Sequence, residues 1–140
     1  MSNIDPTREQ FDEFKALPRD VPIFMLNLIR LNDQAQYQDG RNASGREAYT
    51  VYGNESGPIF NDVGGKVIWR GKAESILIGP NAEHWDIAFI AAYPDAAAFL
   101  SMVTNPKYQA IVFHRQAAVA DSRLIRFAEN ENDEAANIFG

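Results

Sequence analysis

The chain has 140 residues, is 46% hydrophobic and carries a net charge of −6. That length suits one compact domain able to bury a core without covalent staples. The absence of cysteine excludes disulfide frameworks, thiolate zinc sites and cysteine nucleophiles, and the acidic balance argues against nucleic acid as a partner.

The N-terminal residues Met1-Ser2-Asn3-Ile4-Asp5-Pro6 lack the basic start and apolar run of a signal peptide. No stretch of about 18 apolar residues follows, so a cytoplasmic protein without a membrane span is expected. The glycosylation-like Asn42-Ala43-Ser44 and Asn54-Glu55-Ser56 are then chance matches. Asp5 and Pro6 suit a helix start, and Phe11, Phe14 and Leu17 recur at helical spacing before Pro18, which predicts a helix over 7–17. The dense apolar stretch 21–31 reads as a buried strand and 32–44 as a polar loop. Ser44 caps a second helix bearing Ala48, Val51 and Tyr52; Gly57-Pro58 interrupts it, and Gly64-Gly65 ends it.

A long strand is predicted over 66–78, with Gly71 marking a bulge or bend, then a turn at Gly79-Pro80-Asn81 and a third strand over 85–93. Pro94-Asp95 opens a helix that Asn105-Pro106 breaks and restarts, giving a further helix over 106–119. A fourth strand covers 122–127. The segment 129–140, acidic and without a basic residue, reads as a flexible tail on a single domain spanning 1–128.

The resulting order, an N-terminal helix followed by βαββαβ, is the ferredoxin-like pattern of an α+β domain with an antiparallel sheet. Its strands are unusual in being apolar on both faces: Ile23, Met25 and Ile29 against Phe24, Leu26 and Leu28, and Ile87, Phe89 and Ala91 against Ala88, Ile90 and Ala92. An antiparallel sheet covered by helices on one side normally alternates apolar and polar residues. The two crossover helices can cover one face only. Burying about 600 Å² of the other would contribute on the order of 15 kcal/mol before the costs of association. A two-fold homodimer packed sheet to sheet satisfies the pattern; so does coverage of that face by the N-terminal helix or the tail.

The run Gly64-Gly65-Lys66-Val67-Ile68-Trp69-Arg70-Gly71 resembles the "GG…RG" strand of the DUF1330 family. So do Tyr93-Pro94-Asp95-Ala96-Ala97, Asn105-Pro106-Lys107-Tyr108-Gln109, Arg115 and Asp121-Ser122-Arg123, a resemblance covering about 21–128. It implies a dimeric α+β barrel, two ferredoxin-like units joined through their sheets. The wider superfamily is similar to a mixture of cofactor-free monooxygenases, isomerases, haem-degrading enzymes and ligand-binding modules, so fold is implied and chemistry is not. The N-terminal helix, the 32–44 loop and the acidic tail depart from the short family form.

Several side chains have chemistry to offer. Arg115 shares a helical face with Tyr108, Ile111 and Val112; it can clamp a carboxylate or enolate, or bond Asp121, a sheet end or a partner chain. His114, about 100° round the helix from it, can be a general base or a solvent or interface histidine. His84, in a polar turn, reads as solvent-facing, and two histidines thirty positions apart give metal binding little support. Asn27 interrupts an apolar strand and either orients a ligand or bonds a loop. Arg70 lines a cleft or faces solvent. Tyr49 and Tyr52 present phenols on one helix face, as ligand contacts or as plain core.

Phosphate loops, a nucleophile elbow and the zinc-protease motif are all missing. Two functions remain. One is a small-molecule-binding protein working as a cofactor-independent enzyme, monooxygenase- or isomerase-like, on a small organic acid or aromatic. There His114 and Arg115 are catalytic and Asn27, Tyr49, Tyr52 and Arg70 bind substrate. The other is a non-catalytic ligand-binding or dimeric assembly module. Neither calls for a cofactor or a metal.

Overall fold

A computed structural model describes residues 2–129. The first helix, α1 (Arg8–Ala16), starts one residue later than its sequence suggests, because the cap is Thr7 and not Asp5. The Thr7 hydroxyl accepts the Gln10 N–H at 3.1 Å, and the Gln10 side chain accepts the Thr7 N–H at 3.3 Å. Asp5 is used elsewhere, accepting from the Gln116 amide at 3.3 Å.

Strand β1 (Ile23–Leu31) pairs antiparallel with β3 (Ile87–Tyr93) on one side and β4 (Val119–Phe127) on the other; β2 (Lys66–Lys72) joins the outer edge of β3, giving the order β2-β3-β1-β4. With α2 (Gly45–Asp62) after β1, and α3 (Ala96–Thr104) and α4 (Pro106–Ala118) after β3, the chain runs βαββαβ. The described chain is therefore an α+β domain with a ferredoxin-like, fully antiparallel sheet.

Four sequence expectations give way to tertiary structure. The strand over 66–78 stops at Lys72, which pairs with Ile87, the first residue of β3; beyond that rung no strand is left to pair with. Residues 73–86 form a connection instead, and Leu77 and Ile78 stand 93% and 92% exposed in it. The irregularity expected at Gly71 falls at Ile68, where the register slips between Val67 and Trp69. Gly71 serves another purpose: a Cβ there would sit 2.7 Å from the Trp69 indole, so the missing side chain leaves room for the ring. Helix α2 runs straight through Gly57-Pro58. Pro58 is exposed, whereas Ser56 and Ile59 beside it are buried, so packing outweighs one lost backbone bond. Lastly, β4 takes Val119–Asp121 from the expected loop and helix, with a register shift between Arg30 and Leu31 of β1. The expected tail lies, from residue 130 on, outside the described residues.

The helix side of the sheet carries two buried clusters. One holds Ile23, Met25, Ile59, Ala91, Tyr93, Met102 and Tyr108; the other holds Ile29, Ala48, Ala117, Ala118 and Val119. Helix α1 sits on this side too: Phe14 packs 5.1 Å from the Phe99 ring, and Arg126 of β4 lies 4.9 Å over Phe14. Among the described residues, the helices leave the opposite face uncovered. Phe24, Leu26 and Leu28 of β1 meet there with Ala88, Ile90 and Ala92 of β3, flanked by half-exposed Trp69, Ile125 and Phe127.

Candidate functional site

The inward residues of β1 read Ile23, Met25, Asn27 and Ile29, and Asn27 stands where one apolar cluster ends and the other begins. Its amide donates to the Met25 carbonyl at 3.1 Å, a bond within its own strand. Across the sheet Asn27 is opposite Phe89 on one side and Leu124 on the other, and Phe89 is in turn opposite Arg70. Arg70, Phe89, Asn27 and Leu124 thus form one row across the helix side. Arg70 and Asn27 are two strands apart, about 10 Å at ordinary strand spacing.

Above the sheet, phenols converge from α2, α4 and β3. The Tyr52 and Tyr108 hydroxyls are 2.8 Å apart and hydrogen-bonded, and the Tyr49 ring lies 5.5 Å from that of Tyr52. Tyr93 donates its hydroxyl proton to the Met102 sulfur. Burial first, and the Tyr52 phenol second, raise Tyr49, Tyr93 and Tyr108 well above the usual phenol range, so all three stay protonated. The Arg115 guanidinium works against that shift at Tyr49 and Tyr108. A cluster of neutral phenols can stabilise an enolate or phenolate oxygen.

Arg115 and His114 do not converge. Arg115 donates to the Ile4 carbonyl and, at 3.3 Å, to the Ser122 hydroxyl, tying the N-terminal segment to α4 and β4. Ser122 itself donates to the Asn3 carbonyl at 2.6 Å. The His114 ring turns to the 34–44 loop, its Nδ1 2.7 Å from the Tyr37 hydroxyl. The Arg41 guanidinium stacks over Tyr37 and is held by Asp39. Burial, and then the Arg41 charge, push His114 below the usual imidazole range. A buried, neutral imidazole bonded to a phenol is well suited to fastening a loop.

Arg70 lines a groove of about 420 Å³ together with Arg46, Gly71, Lys72, Asp86 and Ile87. His84 is exposed. Among the described residues no group of three or more His, Asp or Glu side chains is placed to hold a metal ion. No helix there is long and apolar enough to cross a membrane. Of the six residues singled out in the sequence, Tyr49 and Tyr52 join Tyr108 in the phenol cluster, Asn27 and Arg70 share the row beneath, and Arg115 and His114 bond the N-terminal segment and the 34–44 loop respectively. Tyr37, Arg46 and Lys72 went unremarked. Tyr37 had no signal, being in an irregular loop, whereas Lys72 could be read from its two-residue spacing after Arg70 on one strand face.

These features describe a ferredoxin-like α+β domain with a polar, phenol-rich layer between sheet and helices. The model of the family called Domain of unknown function (DUF1330) matches residues 41–127. The chain belongs to that family. It is 52% identical to RPA0582, a protein of unknown function from Rhodopseudomonas palustris, with a TM-score of 0.89 over 94% of this chain and all of that one. At 12% identity it shares the fold of SnoaB, a cofactor-independent oxygenase from Streptomyces nogalater (TM-score 0.52, 80% of this chain and 96% of that one). At 10% identity it is also similar to a dimeric protein of unknown function from Bacteroides fragilis (TM-score 0.50, 80% and 100%). No curated protein matches the chain.

Proposed function

We propose that this protein is a small-molecule-binding homodimer whose two sheets pack face to face, and that His114 and Arg115 hold its fold together instead of turning over a substrate. The apolar face that the described residues leave uncovered carries the reading. Three aliphatic or aromatic side chains of β1, the β3 residues opposite them, and Trp69, Ile125 and Phe127 form one continuous surface, and monomers rarely leave so much apolar area bare. A second copy fits it by symmetry, since an isologous contact needs only one self-complementary patch. The similar Bacteroides fragilis protein is described as dimeric, which agrees. The structural role of His114 and Arg115 is supported by their bonds to Tyr37, Ile4 and Ser122.

Sedimentation equilibrium at micromolar concentration is expected to return twice the 15.7 kDa chain mass. A well-behaved monomer under those conditions removes the proposal. Ligand binding is tested by melting shifts across a panel of neutral and ionic metabolites, and a panel without a single shift removes that half.

One observation favours a second reading, cofactor-independent catalysis: the Tyr52 and Tyr108 hydroxyls meet at 2.8 Å beside the Tyr49 ring, a cluster of phenols on the helix side of the sheet. In that case Tyr108→Phe abolishes turnover of an electron-rich phenol or enol while the fold is kept. In the binding-module reading no turnover exists to lose.

A further inference from the structure

The edge of the sheet gathers three cations and a single carboxylate round one groove among the described residues. Arg70 and Lys72 are two residues apart on β2, so both side chains stand on the helix side, opposite Phe89 and Ile87. Arg46 comes from the first turn of α2 to meet them. All three line the groove of about 420 Å³, whose apolar lining is Ile87 with the bare backbone of Gly71. Its single carboxylate, Asp86, faces the three cations, and its Oδ2 accepts the Leu31 N–H at 2.7 Å. The ion pairs found among the described residues join Lys15 to Asp12, Arg41 to Asp39, and Arg123 to Glu83 and Asp121. Arg46, Arg70 and Lys72 take no part in them.

In a chain of net charge −6 this clustering runs against the overall field. Three cations against one carboxylate leave the hollow net positive, and an anion placed there relieves the repulsion among the cations while gaining charge-assisted hydrogen bonds. The volume lies in the range of small-ligand sites. We propose that this groove binds a small organic anion, its carboxylate or phosphate oxygens held by Arg46, Arg70 and Lys72 and its apolar body lying on Ile87. The proposal rests on the small-molecule-binding reading above and names the ligand's chemical class and seat. It is independent of the dimer.

The test is a titration of the full chain with benzoate, succinate and inorganic phosphate, followed by amide chemical shifts and by calorimetry. Saturable binding is expected, with shifts confined to 45–47, 70–73 and 86–88. Preference for benzoate or succinate over phosphate identifies a carboxylate ligand, and the reverse a phosphate. The side chains involved are exposed, so Arg70→Gln and the Arg46→Gln/Lys72→Gln pair are expected to fold normally while each weakens binding about tenfold. Raising salt to 0.5 M weakens it by a similar factor. Lys66→Gln, on the same strand but the opposite face, is expected to change nothing. Equal weakening by Lys66→Gln, or unchanged affinity in the double variant, overturns the site. If no anion binds but a neutral compound shifts the melting temperature, the anion site falls and the small-molecule reading survives; if neither binds, both fall.

Discussion

Asp121 and His114 show how local surroundings turn single side chains into pH-dependent contributions to stability. Burial works to raise the Asp121 carboxyl, but the N–H groups of Asn3 and Ser122 and the Arg123 guanidinium outweigh it and hold it low. A depressed carboxylate adds stability above its unfolded value of 3.8, which is lost as pH falls through the folded value, so its effect is confined to strong acid. His114 acts at milder pH. Its folded pKa lies below the unfolded 6.5, because burial and Arg41 disfavour the imidazolium. Above 6.5 both states are neutral and stability is at its full value; as pH falls below 6.5 the unfolded chain takes the proton first and stability drops. The melting temperature measured by calorimetry should therefore fall between about pH 7 and pH 5, and fall less in His114→Gln. An identical decline in the variant would show that His114 carries none of it. The residue types at 114 and 115 could be read from sequence, but their partners could not. Tyr37 and Ile4 are 77 and 111 positions away, distances across which spacing says nothing.

Helix α2 and the connection after β2 show which elements local pattern predicts well. The α2 start was legible because Ser44 and Glu47 form a reciprocal cap, with bonds of 3.0 and 2.8 Å. Its first residue, Gly45, carries a demand that no pattern reveals: an added Cβ would lie 1.9 Å from the Asn32 carbonyl oxygen. That neighbour is backbone and cannot swing aside, so Gly45→Ala should cost about 1–3 kcal/mol in chemical denaturation, as overpacking does. A loss below about 0.5 kcal/mol would mean that the helix start slides easily. The strand over 66–78 failed for the opposite reason. Ile76, Leu77 and Ile78 have strand-like side chains, but β3 is only seven residues long and supplies no rung for them. With Leu77 and Ile78 almost fully exposed, Leu77→Ser/Ile78→Ser should change the chain's intrinsic stability by less than about 0.5 kcal/mol. A larger loss, varying with protein concentration, would reveal that these side chains are covered in an assembly.

At the scale of the molecule the decisive property is two-sidedness. The helices and α1 occupy one side of the sheet, and the other side presents Phe24, Leu26, Leu28 and Ile90. Ile125 and Phe127 lie on the edge strand of that face, each about half exposed, so placing charge there costs the single chain little. In a sheet-to-sheet dimer the same charges would be buried without partners. Ile125→Lys/Phe127→Lys should therefore sediment as a monomer at concentrations where the parent is dimeric, with circular dichroism unchanged. A variant that stays dimeric would place the contact elsewhere.

Continuous apolar runs bounded by turn residues, the helical spacing of other apolar residues and the caps determined the βαββαβ order and the apolarity of both sheet faces, because each depends on neighbours within a few residues. Tertiary structure alone decided where β2 stops, that α2 survives Pro58, that α1 joins the helix side, and that Arg46 meets Arg70 and Lys72 at one groove. Those outcomes depend on which distant segments share a rung or a packing surface. Such long-range pairings are selected by the burial of the whole chain, and no short window of residues contains them.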